Sequence, residues 1–340
     1  MGFDRLTGQE SVKSRLKDIV AEPSACSLLF EGVEGIGKHL FAKETAKAIL
    51  CSNRSRSGAC GKCPSCKYID AGTHPDLIEV EPTENRKSIR ISDLREIIRD
   101  AEVKPQISDF KVLIINADKT MSDCQNLMLK SLEEPSDHIV YILLCSDTSK
   151  ILRTIMSRVI EIPFREYTDD EMKSILRQNG GEDVDDRKLE FLSVFSSNVP
   201  GKALSLLNDP DFLEERDHIF DLVMRMPGLG YTDVLYDEFD YFNKNHDKID
   251  ELLLLLIWTL GDIASAIAVR DPQNIKNADK KEDIIRFVSQ NSYVTLLNIS
   301  NAEQAVTDFI EASSVNTSFE PACCNMLLRI HKELRYEKSR

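Results

Sequence analysis

Short apolar runs alternate with helix-spaced apolar positions from Phe3 to about Phe164. Gln9 to Val20 carries Val12, Leu16 and Val20 on one face, which predicts an amphipathic helix. Cys26 to Phe30 predicts a short buried strand, and Lys38 to Leu50 a helix. A strand follows at Leu77 to Val80, a helix at Ile91 to Val103 and a strand at Lys111 to Ile115. Ser122 to Glu134 predicts a helix stopped by Pro135. Ile139 to Cys145 is a strand, then comes a helical turn and a last strand at Val159 to Ile162. Strands alternating with helices predict a parallel sheet covered on both faces.

Beyond Phe164 the strand signal fades. Thr168-Asp169-Asp170-Glu171 has the form of a capping box, a Thr cap with Glu three residues later. Helices follow to about Leu207, with breaks at Gly180-Gly181 and near Pro200-Gly201. From about Asp211 to Arg335 the pattern is all helical, broken at Pro227-Gly228 and at Pro272. Leu252 to Val269 is the most apolar helix. Its longest apolar stretch, Leu252 to Leu260, is shorter than the ~20 residues a membrane span needs. Asp250, Glu251 and Asp262 flank it, so a buried helix is expected and no membrane partner. There is no internal repeat. The expected fold class is therefore α/β followed by all-α, in three domains: 1–165, 166–208 and 209–340.

Candidate chemistry begins at residues 32–39, Gly-Val-Glu-Gly-Ile-Gly-Lys-His. A phosphate-binding loop of the form G-x-x-x-x-G-K-[ST] follows a strand and opens a helix. Its backbone N–H groups cradle phosphate, its Lys reaches the β/γ-phosphates and its hydroxyl holds Mg²⁺. Gly32, Gly35, Gly37 and Lys38 are suited to cradling phosphate, but His39 stands where the hydroxyl belongs. Imidazole suits zinc or copper, whereas Mg²⁺ demands hard oxygen ligands. A second metal position is altered too. The strand Lys111 to Ile115 runs into Asn116, where a working P-loop enzyme ends its strand in Asp. Asp118-Lys119, two residues on, is expected to be a solvated turn. Any ATP or ADP binding should be weak and indifferent to Mg²⁺.

Cys51, Cys60, Cys63 and Cys66 form two overlapping C-x-x-C pairs and a preceding helix-end thiol. Four thiolates suit a closed, structural Zn²⁺ site, and Gly61 and Pro64 suit the turns between ligands. Cys26, Cys124, Cys145, Cys323 and Cys324 lie on apolar patterns and are expected in cores. The formal net charge of −14 disfavours a chain that grips DNA unaided. The start of the chain lacks an apolar signal core, which leads to an expectation of the cytoplasm and of reduced thiols. His74-Pro75-Asp76 is expected to be a turn into the next strand, and Ser157-Arg158 the end of a helical segment.

Taken together, these residues resemble the clamp-loader ATPase family of bacterial DNA replication, the DNA polymerase III clamp loader. The resembling pieces are Leu6-Thr7-Gly8-Gln9, the P-loop, the four-cysteine module behind the P-loop helix, and Gly72-Thr73-His74-Pro75-Asp76. They continue with Asn126 to Pro135, containing Leu-Glu-Glu-Pro, and with Ser157-Arg158. They cover roughly the first 165 residues. The resemblance implies an AAA+ P-loop domain with a parallel five-stranded sheet and a zinc module at 51–66. A small helical lid domain and a C-terminal helical collar domain for oligomerisation follow. Motor subunits of the family, gamma and tau, carry intact P-loops. This chain resembles the delta-prime branch, whose nucleotide site is often degraded. The segment Pro200 to Leu204 also lacks the Arg that motor subunits place there, with Lys202 only a neighbour in register.

The resemblance implies no intrinsic ATPase, but a part in a DNA-directed DNA polymerase holoenzyme. Partners would be gamma/tau and delta through the collar, and the sliding clamp and primer-template DNA through the complex. Ser157 and Arg158 would form an arginine finger acting in trans on a neighbour's ATP. Val159 replaces the Cys that usually follows, at the start of an apolar strand where Val packs as well.

Overall fold

The computed structural model describes residues 2–82, 86, 88–182, 184–269, 275–314 and 318–335. They form two compact units, 2–182 with 195–205 and 184–194 with 206–335. The helix break expected at Pro272 lies outside the described residues.

The first unit is built on a five-stranded sheet. In chain order come α1 (Glu10–Ala21), β1 (Cys26–Glu31), α2 (Lys38–Leu50), α3 (Pro64–Asp70), β2 (Leu77–Val80) and α4 (Ile91–Ala101). Then follow β3 (Lys111–Asn116), α5 (Ser122–Glu133), β4 (Ile139–Cys145), α6 (Arg153–Met156), β5 (Ile160–Pro163) and α7 (Asp169–Gln178). The strand order is β2-β3-β4-β1-β5. Every neighbouring pair is parallel, with Leu28 opposite Ile142 on one side and Ile160 on the other. The parallel sheet expected from the alternating pattern is present.

Burial explains the composition of the strands. β4 is buried at all seven positions, and β1 at its four central ones. Strands covered on both faces read as continuous apolar runs. β5 is the edge strand and ends in Pro163, which an edge tolerates because one face of its backbone needs no partner. β5 starts at Ile160, one residue later than the apolar pattern suggested, since Arg158 still bonds back to Ile155 through its N–H. The capping box forms with both of its bonds.

Two helices span the boundaries between the units: α8 (Asp186–Phe195) and α9 (Pro200–Asn208). Pro200 opens α9, the place where its missing N–H costs nothing. The second unit continues with α10 (Phe212–Arg225), α11 (Tyr231–Asp233) and α12 (Phe239–Lys244), the last two joined by a π-helical turn at Val234–Glu238. It closes with α13 (Ile249–Ala268), α14 (Lys281–Gln290), α15 (Leu296–Ser314) and α16 (Phe319–Leu334). α13 is apolar and long enough, by composition alone, to cross a bilayer. Here it packs against α10, α14 and α15 with Leu252, Leu253, Leu255, Leu256, Leu260 and Ile263 buried.

One charged network holds this unit. Arg216, 2 % exposed, donates to Asn277 and pairs with Asp279, while its guanidinium lies 4.0 Å over the Phe191 ring. Asn277 in turn donates to buried Asp262. Among the cysteines expected in cores, Cys124, Cys145 and Cys323 are buried, but Cys26 and Cys324 are only half-buried. Cys26 opens β1 before its covered centre, and Cys324 lies beside rather than on the buried face of α16.

Arg216→Ala should lower the stability of the second unit by about 3–5 kcal/mol, because it leaves a buried carboxylate and amide without their cation. Trp258, the sole tryptophan, packs edge-on against Phe191 and reports this unit in urea titrations. An unchanged fluorescence midpoint would show that the network carries no stability.

Candidate functional site

β1 ends at the point where the strand order reverses, so the loop after it faces a crevice at the carboxyl ends of the strands. Ligands bind in such crevices in open α/β sheets. Gly35 and Gly37 adopt φ values of +83° and +105°, a region that side chains with a Cβ rarely enter. The loop lines a cleft of about 470 Å³ together with Lys38, His39, Asn116, Asp118, Ser146 and Lys150. Lys38 is buried and turns back on its own loop. Its Nζ donates to the Gly32 carbonyl and, at 3.0 Å, to that of Val33. Burial lowers its pKa from the usual lysine value, against the raising influence of Asp118.

His39 and Asn116 both lie in this cleft. His39 is the second residue of α2, and its Nε2 lies 2.7 Å from a Glu79 carboxylate oxygen. Lys43 pairs with the same carboxylate at 3.1 Å. Asn116 ends β3, and its Oδ1 is buried without a hydrogen-bond partner. Asp118 lies exposed in a short turn, Ala117–Lys119, in keeping with the solvated turn expected of it, and it also makes a tie that was not expected. Its exposed carboxylate accepts the Ser146 N–H at 2.8 and 3.0 Å, tying the end of β3 to the end of β4 beside Lys38. The sequence carried no period or motif that pointed to this, because the tie joins residues 28 apart.

A neighbouring, more apolar cleft of about 410 Å³ is lined by Leu6, Ile36, Leu40, Phe41, Tyr167, Ile175 and the start of α9. There the Gly201 N–H donates to the Gly35 carbonyl at 2.9 Å. A Cβ on Gly201 would sit 2.9 Å from both Gly35 Cα and O, so only glycine permits this approach. Ser197 and Asn198, both left-handed, shape the turn before it.

Cys51 and the three cysteines of the overlapping C-x-x-C pairs come together. Their Sγ atoms all lie within 4.8 Å of one another, with Cys51 and Cys63 3.8 Å apart. Tetrahedral thiolates at a zinc–sulfur distance of about 2.3 Å stand about 3.8 Å apart, so the set fits a metal ion. Backbone N–H groups of Cys60, Lys62, Cys63 and Cys66 point at the sulfurs at 3.3–3.5 Å. Burial opposes ionisation of Cys63, but N–H donors from Cys66 and Ser52 overcome it and bring its thiol down to about 6. N–H donors likewise lower Cys60, whereas burial raises Cys51 and Cys66.

Ser157 caps α6, with Arg158 just beyond it. Arg158 donates to the Thr154 carbonyl at 2.8 Å, to Ser157 Oγ at 3.1 Å and to the Glu133 carboxylate at 2.9 Å. Glu133 is the last residue of α5, so the Leu-Glu-Glu-Pro segment is where the arginine rests. The reading of His74-Pro75-Asp76 as a turn missed its role. Asp76 is wholly buried and accepts N–H bonds from Gln106, Ile107 and Ser108 at 2.6–2.9 Å.

A family described as DNA polymerase III, delta subunit, matches residues 8–168. Through this segment, just under half of its length, the chain is similar to DNA polymerase III clamp-loader subunits. It is 37% identical to DNA polymerase III subunit delta' of Pseudomonas aeruginosa over 138 residues, 40% of this chain and 42% of that protein. It is 32% identical to DNA polymerase III subunit gamma of Buchnera aphidicola subsp. Schizaphis graminum over 183 residues, 53% of this chain and 50% of that one. The chain thus spans half or less of the length of these relatives. A solved gamma subunit-related protein from Thermotoga maritima aligns over 95% of this chain and 99% of its own, at 17% identity and a TM-score of 0.43. The chain pairs a parallel five-stranded α/β unit with an all-helical C-terminal region.

Gly201→Ala should push α9 off the loop and cost the first unit about 1–3 kcal/mol by overpacking. Gly228→Ala, whose Cβ would meet nothing within 4 Å, serves as the control. Hydrogen exchange across residues 33–37 should rise in Gly201→Ala alone, and equal exchange in both variants would contradict the contact.

Proposed function

We propose that this chain is a delta-prime-type, non-motor subunit of the DNA polymerase III clamp loader, which helps load the sliding clamp onto primed DNA. One observation carries the reading. The cleft holding the P-loop has an imidazole paired with Glu79 and a neutral amide in place of both Mg²⁺-binding oxygens. The loop glycines and Lys38 keep the form of a phosphate cradle, with a helix N-terminus behind it. Binding of ATP or ADP would be weak and indifferent to Mg²⁺. On the same reading 166–208 is the lid and 209–340 the collar that meets gamma/tau and delta. The clamp and DNA are reached through the complex, in the cytoplasm of a bacterium.

The chain's contribution to catalysis then lies in Arg158. Held by Thr154, Ser157 and Glu133, its guanidinium is only partly exposed. The pair with Glu133, a mostly exposed carboxylate, is worth about 1 kcal/mol or less, so a neighbour's γ-phosphate could displace it. A guanidinium there offsets charge on the transferring phosphoryl group, which in GTPases is worth about 10³–10⁵ in rate. The metal of the cysteine cluster is assigned as zinc, held by Cys51, Cys60, Cys63 and Cys66. A closed four-thiolate set supplies folding energy and leaves no position for substrate.

A gamma-type ATPase is the second reading, and Asp118 favours it. Its carboxylate lines the cleft near Lys38 and offers the negative charge that Asn116 lacks.

In a reconstituted loader, Arg158→Ala should leave assembly intact and lower DNA-stimulated ATP hydrolysis by at least tenfold. Hydrolysis at the wild-type rate would remove the finger role. Calorimetry separates the two readings of the P-loop: tight, Mg²⁺-dependent ATP binding by the isolated chain would favour the gamma type. Elemental analysis should find one zinc per chain, and its absence from freshly purified, reduced protein would exclude the metal site.

A further inference from the structure

The residues around the cysteine cluster form a directed chain of hydrogen bonds. Asp76 N–H donates to His74 Nδ1 at 3.0 Å, which leaves the ring proton on Nε2. That nitrogen lies 2.6 Å from Ser65 Oγ. Ser65 Oγ lies 2.9 Å from Ser108 Oγ, and Ser108 Oγ donates to the Leu50 carbonyl at 3.0 Å. The Leu50 bond commits the Ser108 proton, so Ser108 accepts from Ser65, and Ser65 accepts from His74. Each hydroxyl gives its one proton along the chain, and Ser108 Oγ also lies 3.3 Å from His74 Nε2, so the four bonds form a closed cluster.

One end of this chain and its middle lie on ligand-bearing backbone. Leu50 precedes Cys51 at the end of α2. Ser65 sits between Cys63 and Cys66 on α3. His74 and Ser65 are buried, at 5 % and 1 % exposed. The far end is fixed by the Asp76 carboxylate, whose three N–H donors gather the segment Gln106–Ser108 against the start of β2. Ser108 thereby joins a segment 58 residues away to the cysteine module.

We propose that Asp76, His74, Ser65 and Ser108 are the outer support of the metal site. They hold the Cys51 end of α2 and the Cys63–Cys66 helix at the separation that four-sulfur coordination requires, before the ion arrives. The inference rests on the assignment of the cluster as a zinc site. The four act as positioning residues, since none offers an atom to the ion. Removing partners of this kind weakens metal binding by about 10–100-fold in proteins where it has been done. It also explains why a buried Asp and His follow the fourth cysteine so closely: they anchor the module to the sheet.

The test is zinc affinity of the full chain by competition with a chromophoric chelator. Ser65→Ala and Ser108→Ala each delete one hydroxyl and keep all four thiols. Each should bind zinc about 10–100-fold more weakly. Ser108→Thr, which keeps the hydroxyl at a half-buried position, should restore affinity. The Co²⁺-loaded variants should retain sulfur-to-metal charge-transfer bands, with a broadened tetrahedral d–d envelope. Wild-type affinity in both alanine variants overturns the support role while leaving the zinc site standing, and so does a general fall in thermal stability at unchanged affinity. A wild-type chain that takes up no zinc overturns the zinc site and the support together.

Discussion

The parallel seating of β1 between β4 and β5 is the constraint from which the first unit follows. Burial on both faces goes with the apolar run Leu28 to Phe30 in β1, whose register places Leu28 opposite both Ile142 and Ile160. The glycine loop and its cleft hang from the carboxyl edge this creates. The Gly32 N–H bonds to Cys145 at the end of β4, and Phe164, just past β5, packs against Phe30 and Phe41. The loop therefore leaves β1 along a path set by its two neighbours. Ser146 and Asp118 close the same edge on the other side.

With that frame in place, the character of the cleft is a matter of charge. A working site needs hard oxygens to hold Mg²⁺ against its own hydration. Here the Glu79 carboxylate is engaged by His39 and Lys43, and the amide of Asn116 brings no charge. Lys38 finds its acceptors in the loop's own carbonyls. The proposed non-motor role rests on this contrast between the glycine loop with Lys38 and the residues at positions 39 and 116. On that proposal the chain acts through Arg158, which is steadied by oxygens of Thr154 and Ser157 and by the Glu133 carboxylate at the end of α5.

Much of this was legible in the chain because the relevant patterns are local. Alternating apolar runs located all five strands to within a residue or two, and the P-loop, the capping box and the C-x-x-C pairs are contiguous signatures. The parts that were not legible are contacts between distant residues. Asp118 gains its partner across 28 positions, and Asp76 gains three across about 30. Glu133 meets Arg158 only because α5 and α6 lie side by side. A turn-like string such as His-Pro-Asp carries no period that separates a solvated bend from a buried anchor. The half-buried Cys26 and Cys324 make the same point from the other side, since apolar neighbours in sequence do not ensure cover in space.

The central claim is that the P-loop is a retained frame without hydrolytic function of its own. ATP turnover by the isolated, full-length chain tests it most directly, measured with Mg²⁺ and beside a Lys38→Ala control. The account predicts equal, background-level phosphate release from both proteins. Turnover that is clearly above background and abolished by Lys38→Ala would contradict it.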